Sequence, residues 1–388
     1  MRNIDGVLTF NSDTHYFQWG GYSVKPVEVT EETIAWLRLI DSCPASPAVH
    51  EKSIAMTERL RQTLAVSLNV KAEEILLSDN TTNGHNLVGW GLDFRPGDAI
   101  VLSRHEHPAN ILPWYALAQR KGLKVIFLDG YQDDDQLMYQ LEEVLDHHSV
   151  RAVALSHVSR NTGYRLPVHK AAEICREREI FFLVDGAQSF GNIPVDIRAI
   201  GCDAYSFCGH KWILGPQGTG GLWLSEKSMD RVAPSWVGSK SQVSYDMEGE
   251  FLWKPDMKRY EYGTRNFSLF AGWLKALELI GKMGWESYFT GIRETTEQWK
   301  RSLAGINPAI VLTPDAWEHS SGIIVLQFAG KDAGKFSDWL WERHRIVCSR
   351  MDAGEHMRIC NHIANDDEER ARLTALVTQF STGSIDFG

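Results

Sequence analysis

The stretch Phe181-Phe182-Leu183-Val184-Asp185-Gly186-Ala187-Gln188-Ser189, continued by Ser206-Phe207-Cys208-Gly209-His210-Lys211 and Gly215-Pro216-Gln217-Gly218-Thr219-Gly220-Gly221, decides how this chain folds. Four apolar residues without polar alternation, closed by a carboxylate and a small-residue turn, read as a strand buried on both faces. The same pattern recurs in Ile75-Leu76-Leu77, Ala99-Ile100-Val101-Leu102, Val125-Ile126-Phe127-Leu128 and Ala152-Val153-Ala154-Leu155. Segments of helical period lie between them, at 86–92, 112–121 and 169–178. Strand–helix alternation of this kind predicts an α/β architecture with a mostly parallel sheet between helices. Ligands of such sheets bind at the carboxyl ends of the strands, so the polar residues just after a strand are the first candidates.

Beyond about residue 265 the pattern changes. Residues 270–282 and 285–303 have the spacing of long helices, 323–328 reads as a strand, and 331–344 returns to helix. A large domain over 15–265 and a smaller α+β domain over 266–388 are expected, with residues 1–14 packing against the smaller one. Of the 388 residues, 43% are hydrophobic and 23% charged, which excludes disordered, collagen-like and coiled-coil chains. No apolar run approaches the ~18 residues of a membrane-spanning helix. Met1-Arg2-Asn3-Ile4-Asp5 lacks the basic-then-apolar start of a secretory signal, so a cytoplasmic location is expected. The net charge of −10, with no Lys/Arg cluster, argues against nucleic acid or an anionic membrane as partner. The six cysteines form no C-x-x-C pair and suggest neither a zinc knuckle nor a disulfide framework.

Asp185 at a strand end and Lys211 in a glycine-flanked turn are what a pyridoxal 5'-phosphate (PLP) site requires. The lysine amine must reach the cofactor aldehyde to form a Schiff base. An acid must keep the pyridine nitrogen protonated so that the ring can act as an electron sink. Taken singly, a strand-end Asp is an ordinary turn residue and a His-Lys pair an ordinary solvated one. The glycine run is no dinucleotide fingerprint, since the G-x-G-x-x-G spacing fails. No metal site is expected either: His105-Glu106-His107-Pro108-Ala109 misses the H-E-x-x-H pattern at its fifth position.

Val184-Asp185-Gly186-Ala187-Gln188, Gly209-His210-Lys211 and Gly215–Gly221 together resemble the class V aminotransferases, a family that includes cysteine desulfurases, cystine and cysteine C–S lyases and isopenicillin N epimerase. Asp79-Asn80-Thr81-Thr82-Asn83-Gly84, Glu106-His107-Pro108-Ala109-Asn110-Ile111, Ser156-His157-Val158-Ser159, Tyr262-Gly263-Thr264 and Arg358 follow in the family's order, over roughly residues 15 to 375. The resemblance implies the PLP-dependent fold type I and a homodimer with active sites at the subunit interface. It implies that His107 stacks on the pyridine, Asp185 pairs with its nitrogen, and Gln188 meets the ring O3'. Thr81, Thr82, Asn83, Cys208 and His210 would surround the phosphate, and Thr264 would reach the phosphate in the other subunit. Lys211 would be both Schiff-base lysine and proton shuttle, and Arg358 would clamp the substrate α-carboxylate, a task suited to a planar bidentate donor.

Two departures matter. Cys208 stands where relatives carry Ser or Thr, and a thiol is a weaker donor to phosphate. Arg160, followed by Asn161, stands where the desulfurases carry Asn, which makes both residues candidates for substrate binding, with Arg160 facing a distal acidic group. A desulfurase also needs a cysteine on a flexible loop to take up sulfur. In the desulfurases that resemble this chain it lies about fifteen residues before the carboxylate arginine, where this sequence has Arg343-His344-Arg345. Only 349–357 is left for a loop, and it holds no cysteine. The pattern resembles the cystine C–S lyases, and implies β-elimination from cystine or another S-substituted cysteine. A cysteine desulfurase, or an aminotransferase- or epimerase-like enzyme acting on a natural-product S-conjugate, is the alternative.

Overall fold

In the computed structural model, which describes residues 2–385 except 12, 131, 308, 352 and 353, the five apolar runs are strands of one seven-stranded sheet. Its order is Ile75–Ser78, Gly220–Leu224, Ala204–Cys208, Phe181–Asp185, Val150–Ser156, Ala99–Ser103 and Lys124–Leu128. Gly220–Leu224 runs against both neighbours, and every other pairing is parallel. Successive side chains of a strand point to opposite faces. Phe181 and Leu183 therefore enter one apolar cluster while Phe182 and Val184 enter another on the far side. A sheet covered twice leaves no place for polar alternation, which is why these strands read as continuous apolar runs.

A second, four-stranded antiparallel sheet is built from Ile310–Val311, Ile323–Gln327, His356–Cys360 and Ser349–Arg350, in that order. Ile324, Leu326, Met357 and Ile359 pack there with Phe336, Leu373 and Phe380 in a cluster of their own. Near the N-terminus, Arg2–Ile4 and Leu8–Phe10 form a hairpin whose Leu8 and Phe10 join Trp19 and Val29 in the larger cluster. His15–Tyr16 then pairs in parallel with Ile346–Val347. An isolated parallel bridge between Gln18 and Cys360 follows, immediately before Gly20-Gly21-Tyr22.

Two local differences from the sequence reading have clear causes. The helix expected from residue 86 spans Thr81–Gly91, because the Asn80 side chain accepts a hydrogen bond from Asn83 N at 3.0 Å and caps it. Thr, Asn and Gly are indifferent helix formers, and the cap outweighs their propensity. Within the stretch 349–357 left for a loop, Ser349 pairs with Arg358 and Arg350 with Met357 as short strands, while 352 and 353 lie outside the described residues. Strands of two residues are too short to show a period.

The segment after Lys211 is fixed from below. The Tyr288 hydroxyl donates to the Trp212 carbonyl and lies 2.6 Å from His362 Nε2, all three residues being inaccessible to solvent. His362 Nδ1 accepts from Ala364 N, so its proton sits on Nε2 and points at the tyrosine oxygen. Tyr288→Phe leaves a carbonyl and a ring N–H unpaired in the core. It is expected to lower stability by about 1–3 kcal/mol, read as a lower urea midpoint with an unchanged slope.

Candidate active site

The carboxyl ends of Ile75–Ser78, Val150–Ser156, Phe181–Asp185 and Ala204–Cys208 open on one cavity of about 520 Å³. Its walls include Thr81, Thr82, His107, Arg160, Asp185, Gln188, Cys208, His210, Lys211 and Arg358. Asn83, Asn161 and Thr264 are not among the lining residues. Asn83 sits in the first helical turn, held through its backbone N–H. The Asn161 side chain faces the His105 carbonyl at 3.5 Å. Thr264 is exposed on the segment leading to helix Phe267–Met283.

Each wall residue is held by local structure. Asp185 ends its strand with Oδ1 accepting from Ala187 N at 2.8 Å and Oδ2 lying 3.2 Å from His85 Nε2. Burial alone would raise its pKa; the His85 ring, the Ala187 N–H and nearby Lys211 outweigh that and hold it below the usual carboxylate range. His107 caps the short turn Pro108–Asn110, its Nδ1 accepting from Ala109 N at 3.0 Å. Burial, then Lys211 and Arg160, lower its pKa to about 4, so a neutral ring faces the cavity. His210 is likewise lowered to about 4 by burial and Lys211. Burial pushes the Cys208 thiol up, against the pull of Lys211.

Gln188 is more constrained than its sequence position implies. Its Nε2 donates to the Gly20 carbonyl at 2.7 Å, and its Oε1 accepts from Trp212 Nε1 at 3.0 Å. A ring O3' would be left with the second amide hydrogen. Arg358 lies in the middle of His356–Cys360 and is 5% exposed. It donates to Ser349 Oγ, Gln18 Oε1 and the Arg160 carbonyl, all neutral acceptors. No carboxylate neutralises it among the described residues. A buried guanidinium with only neutral partners is a place prepared for an anion.

Three observations show that the residues fit PLP. Thr81 Oγ1 is buried without a hydrogen-bond partner, at a helix N-terminus that favours a phosphate. Lys211 reaches the cavity, and its Nζ makes no hydrogen bond or ion pair among the described residues. A buried, ionised Asp185 stands in the same cavity. Gly220 permits the arrangement, since a Cβ there would lie 2.6 Å from Asn80 Cα.

Sequence reasoning did not find Gly20, Gly21 and Tyr22, which close one side of the cavity, nor His85 beneath Asp185. No motif marks the glycine pair. His85 carried a faint signal, being four residues after Thr81 and so on the same helical face. Trp19 and Trp114 are core residues: Trp19 stacks on His362 and Trp114 is wholly buried.

The family model Aminotransferase class-V matches residues 15–377. A probable cysteine desulfurase of Xylella fastidiosa (strain 9a5c) is 34% identical over 290 residues, covering 72% of this chain and 67% of the relative. A probable cysteine desulfurase of Pyrococcus abyssi (strain GE5 / Orsay) is 32% identical, covering 61% of this chain and 59% of the relative. Among solved structures, the cystine C–S lyase C-DES bound to its reaction product cysteine persulfide superposes with a TM-score of 0.86. It is 30% identical and covers 95% of this chain and 98% of its own. A lysine-to-alanine variant of C-DES, with glycine covalently linked to the PLP cofactor, superposes equally well.

Half-buried His107 and His210 and buried His157 have pKa values of about 4, about 4 and about 3. Unfolded, each titrates near ~6.5, so the unfolded chain binds more protons below that pH. Stability is therefore complete above it and falls as the pH drops from about 6.5 towards about 4. Urea unfolding of the apoprotein at pH 7.5, 6 and 5 is expected to give a steadily lower midpoint; a constant midpoint contradicts this assignment.

Proposed function

The chain belongs to the class V aminotransferase family, and from that premise we propose that it is a PLP-dependent C–S lyase that cleaves cystine or another S-substituted cysteine by β-elimination. The products are pyruvate, ammonia and a thiol or persulfide. The observation that supports elimination over desulfuration is the connection of 351–355 between Ser349–Arg350 and His356–Cys360. A desulfurase takes sulfur onto an enzyme thiolate that must travel to the substrate. That stretch of sequence contains no cysteine, Ser349 and Arg350 before it pair with Arg358 and Met357 after it, and Ser349 Oγ accepts from Arg358 itself. Cys348 and Cys360 do not line the cavity, and burial raises the pKa of both thiols.

The proposed roles follow from placement. Thr81, Thr82 and His210 hold the phosphate, His107 lies against the ring, and Asp185 keeps the pyridine nitrogen protonated. PLP supplies the covalent attachment for the substrate amine and the electron sink that acidifies its α-carbon. Arg358 binds the α-carboxylate and turns the Cα–H bond towards Lys211. Lys211 Nζ takes that proton, and the C–S bonding pair leaves with sulfur, so no enzyme thiol is consumed. The released three-carbon fragment hydrolyses to pyruvate and ammonia. Arg160, on the same wall as Arg358, faces the second carboxylate of a cystine-sized substrate.

A homodimer completes this reading. Thr264 is exposed, and the hairpin of Gln242–Tyr245 and Phe251–Trp253 exposes Val243, Tyr245, Phe251 and Leu252. A second copy would cover these apolar side chains and receive Thr264 at its phosphate. Among the described residues no helix is long and apolar enough to cross a membrane, and the cytoplasm is the proposed location. The division into a large domain over 15–265 and a small one over 266–388 belongs to the same proposal.

The test is a pyruvate assay with cystine, cysteine and a bulky S-alkyl cysteine, while the cofactor absorbance is followed. Pyruvate from cystine is expected; an absorbance change without pyruvate overturns the lyase reading in favour of transamination or epimerisation. The double variant Cys348→Ala/Cys360→Ala is expected to keep pyruvate and sulfur release within about twofold of the parent enzyme, since neither thiol takes part. Loss of sulfur release with an intact fold would establish the desulfurase alternative. Arg358→Lys replaces a fork by a point charge and is expected to cut kcat/KM by about 10²-fold, through lost orientation as well as binding.

A further inference from the structure

His85 is a wholly buried imidazole that none of the roles above employs. It lies on the inner face of helix Thr81–Gly91, one turn after Thr81. This helix is pressed against the strand ends. The Ser206 hydroxyl donates to the Thr81 carbonyl at 2.9 Å, and a Cβ at Gly84 would meet Ser206 Oγ at 2.2 Å. Ser206 is the register partner of Asp185 in the adjacent strand. The next inward residue, His85, consequently lands under the carboxylate, with Nε2 3.2 Å from Oδ2 and side chains 0% and 4% exposed. The contact is at ion-pair distance, and the N–H is not aligned as a strong hydrogen bond. Nδ1 has no hydrogen-bond partner among the described residues. An imidazole costs free energy in such a place unless its neighbour uses it.

We propose that His85 is a positioning residue for Asp185: it holds Oδ2 at the cavity wall, keeps the carboxylate ionised, and so keeps the pyridine nitrogen of the bound cofactor protonated. One helix then serves both ends of the cofactor, its N-terminus receiving the phosphate and its second turn supporting the carboxylate. The carboxylate has its other oxygen fixed by Ala187 N, so removal of His85 frees one oxygen only. In a buried site a carboxylate without a compensating partner tends to take up a proton. A protonated Asp185 would leave the pyridine neutral and weaken its electron withdrawal. This inference rests on the reading of Asp185 as the partner of the pyridine nitrogen.

The test uses holoenzyme reconstituted with PLP labelled with nitrogen-15 in the ring, whose NMR shift separates pyridinium from neutral pyridine. Wild type, His85→Leu, His85→Met, His85→Gln and Asp185→Asn are compared. The two apolar variants are expected to move the signal towards neutral pyridine, to bind PLP about tenfold more weakly and to lose about tenfold in kcat/KM, the scale on which outer partners of a bound group act. His85→Gln, which keeps a side-chain donor, is expected to retain most of the pyridinium signal. A wild-type shift in the apolar variants, or a Gln variant no better than they are, overturns the assignment. If an apolar variant fails to fold, the Gln variant against wild type still decides, because a purely structural role for the ring would not let an amide preserve the signal. An unmoved signal in Asp185→Asn would instead refute the Asp185–pyridine pairing itself.

Discussion

Asp185 carries a negative charge at a position only 3% exposed, and much of the molecule is arranged around that fact. An unpaired buried carboxylate is costly and avoids the cost by protonation. Here the Ala187 N–H takes one oxygen, the His85 ring lies against the other, and Lys211 adds a positive field. Each of these depends on the sheet. Asp185 is the last residue of a central strand, Ala187 begins the turn that follows, and Lys211 lies beyond the end of the neighbouring strand. The helix that delivers His85 follows the edge strand Ile75–Ser78.

The cavity is cationic within an acidic protein. Arg358, Arg160 and Lys211 share its walls with Asp185, while the chain as a whole carries a net charge of −10. Burial, and then the same positive field, lower the His107 pKa to about 4, so the ring that faces the cavity is neutral. PLP brings a phosphate and an amino-acid substrate brings a carboxylate, and both are anions. Low local polarity strengthens each of these attractions relative to water. Arg358 comes from the second sheet and receives support from Ser349, Gln18 and the Arg160 carbonyl. The cavity wall at Arg358 is therefore a joint product of the second sheet, of the N-terminal segment that supplies Gln18, and of the loop after Val150–Ser156 that supplies Arg160.

The continuous apolar strands were legible in the sequence because burial on both faces removes polar alternation, and the carboxyl-end rule then located Asp185 and the Lys211 turn. The turn at Thr81-Thr82 after the first strand of the sheet was recognisable, although its helix was placed five residues late. That error arose because a cap formed by one asparagine side chain leaves no periodic trace. Residues 349–357 were read as a loop since strands of two residues have no period. Gln188 is held more firmly than any local pattern shows. Its amide carbonyl is committed to Trp212 and one amide hydrogen to Gly20, a contact that joins positions 168 residues apart.

By itself the sequence determined the α/β class, the family and the identity of the charged groups that a PLP site needs, because those follow from local apolarity and from ordered motifs. It also determined that no cysteine occupies the short segment before Arg358. Only the tertiary structure decided that this segment is closed by paired strands, that Gly20-Gly21-Tyr22 belong to the cavity, and that a helical histidine supports Asp185. The physical reason is the same in each case. These contacts are between residues far apart in the chain, whose meeting is set by packing of elements and leaves no pattern in any short stretch of sequence.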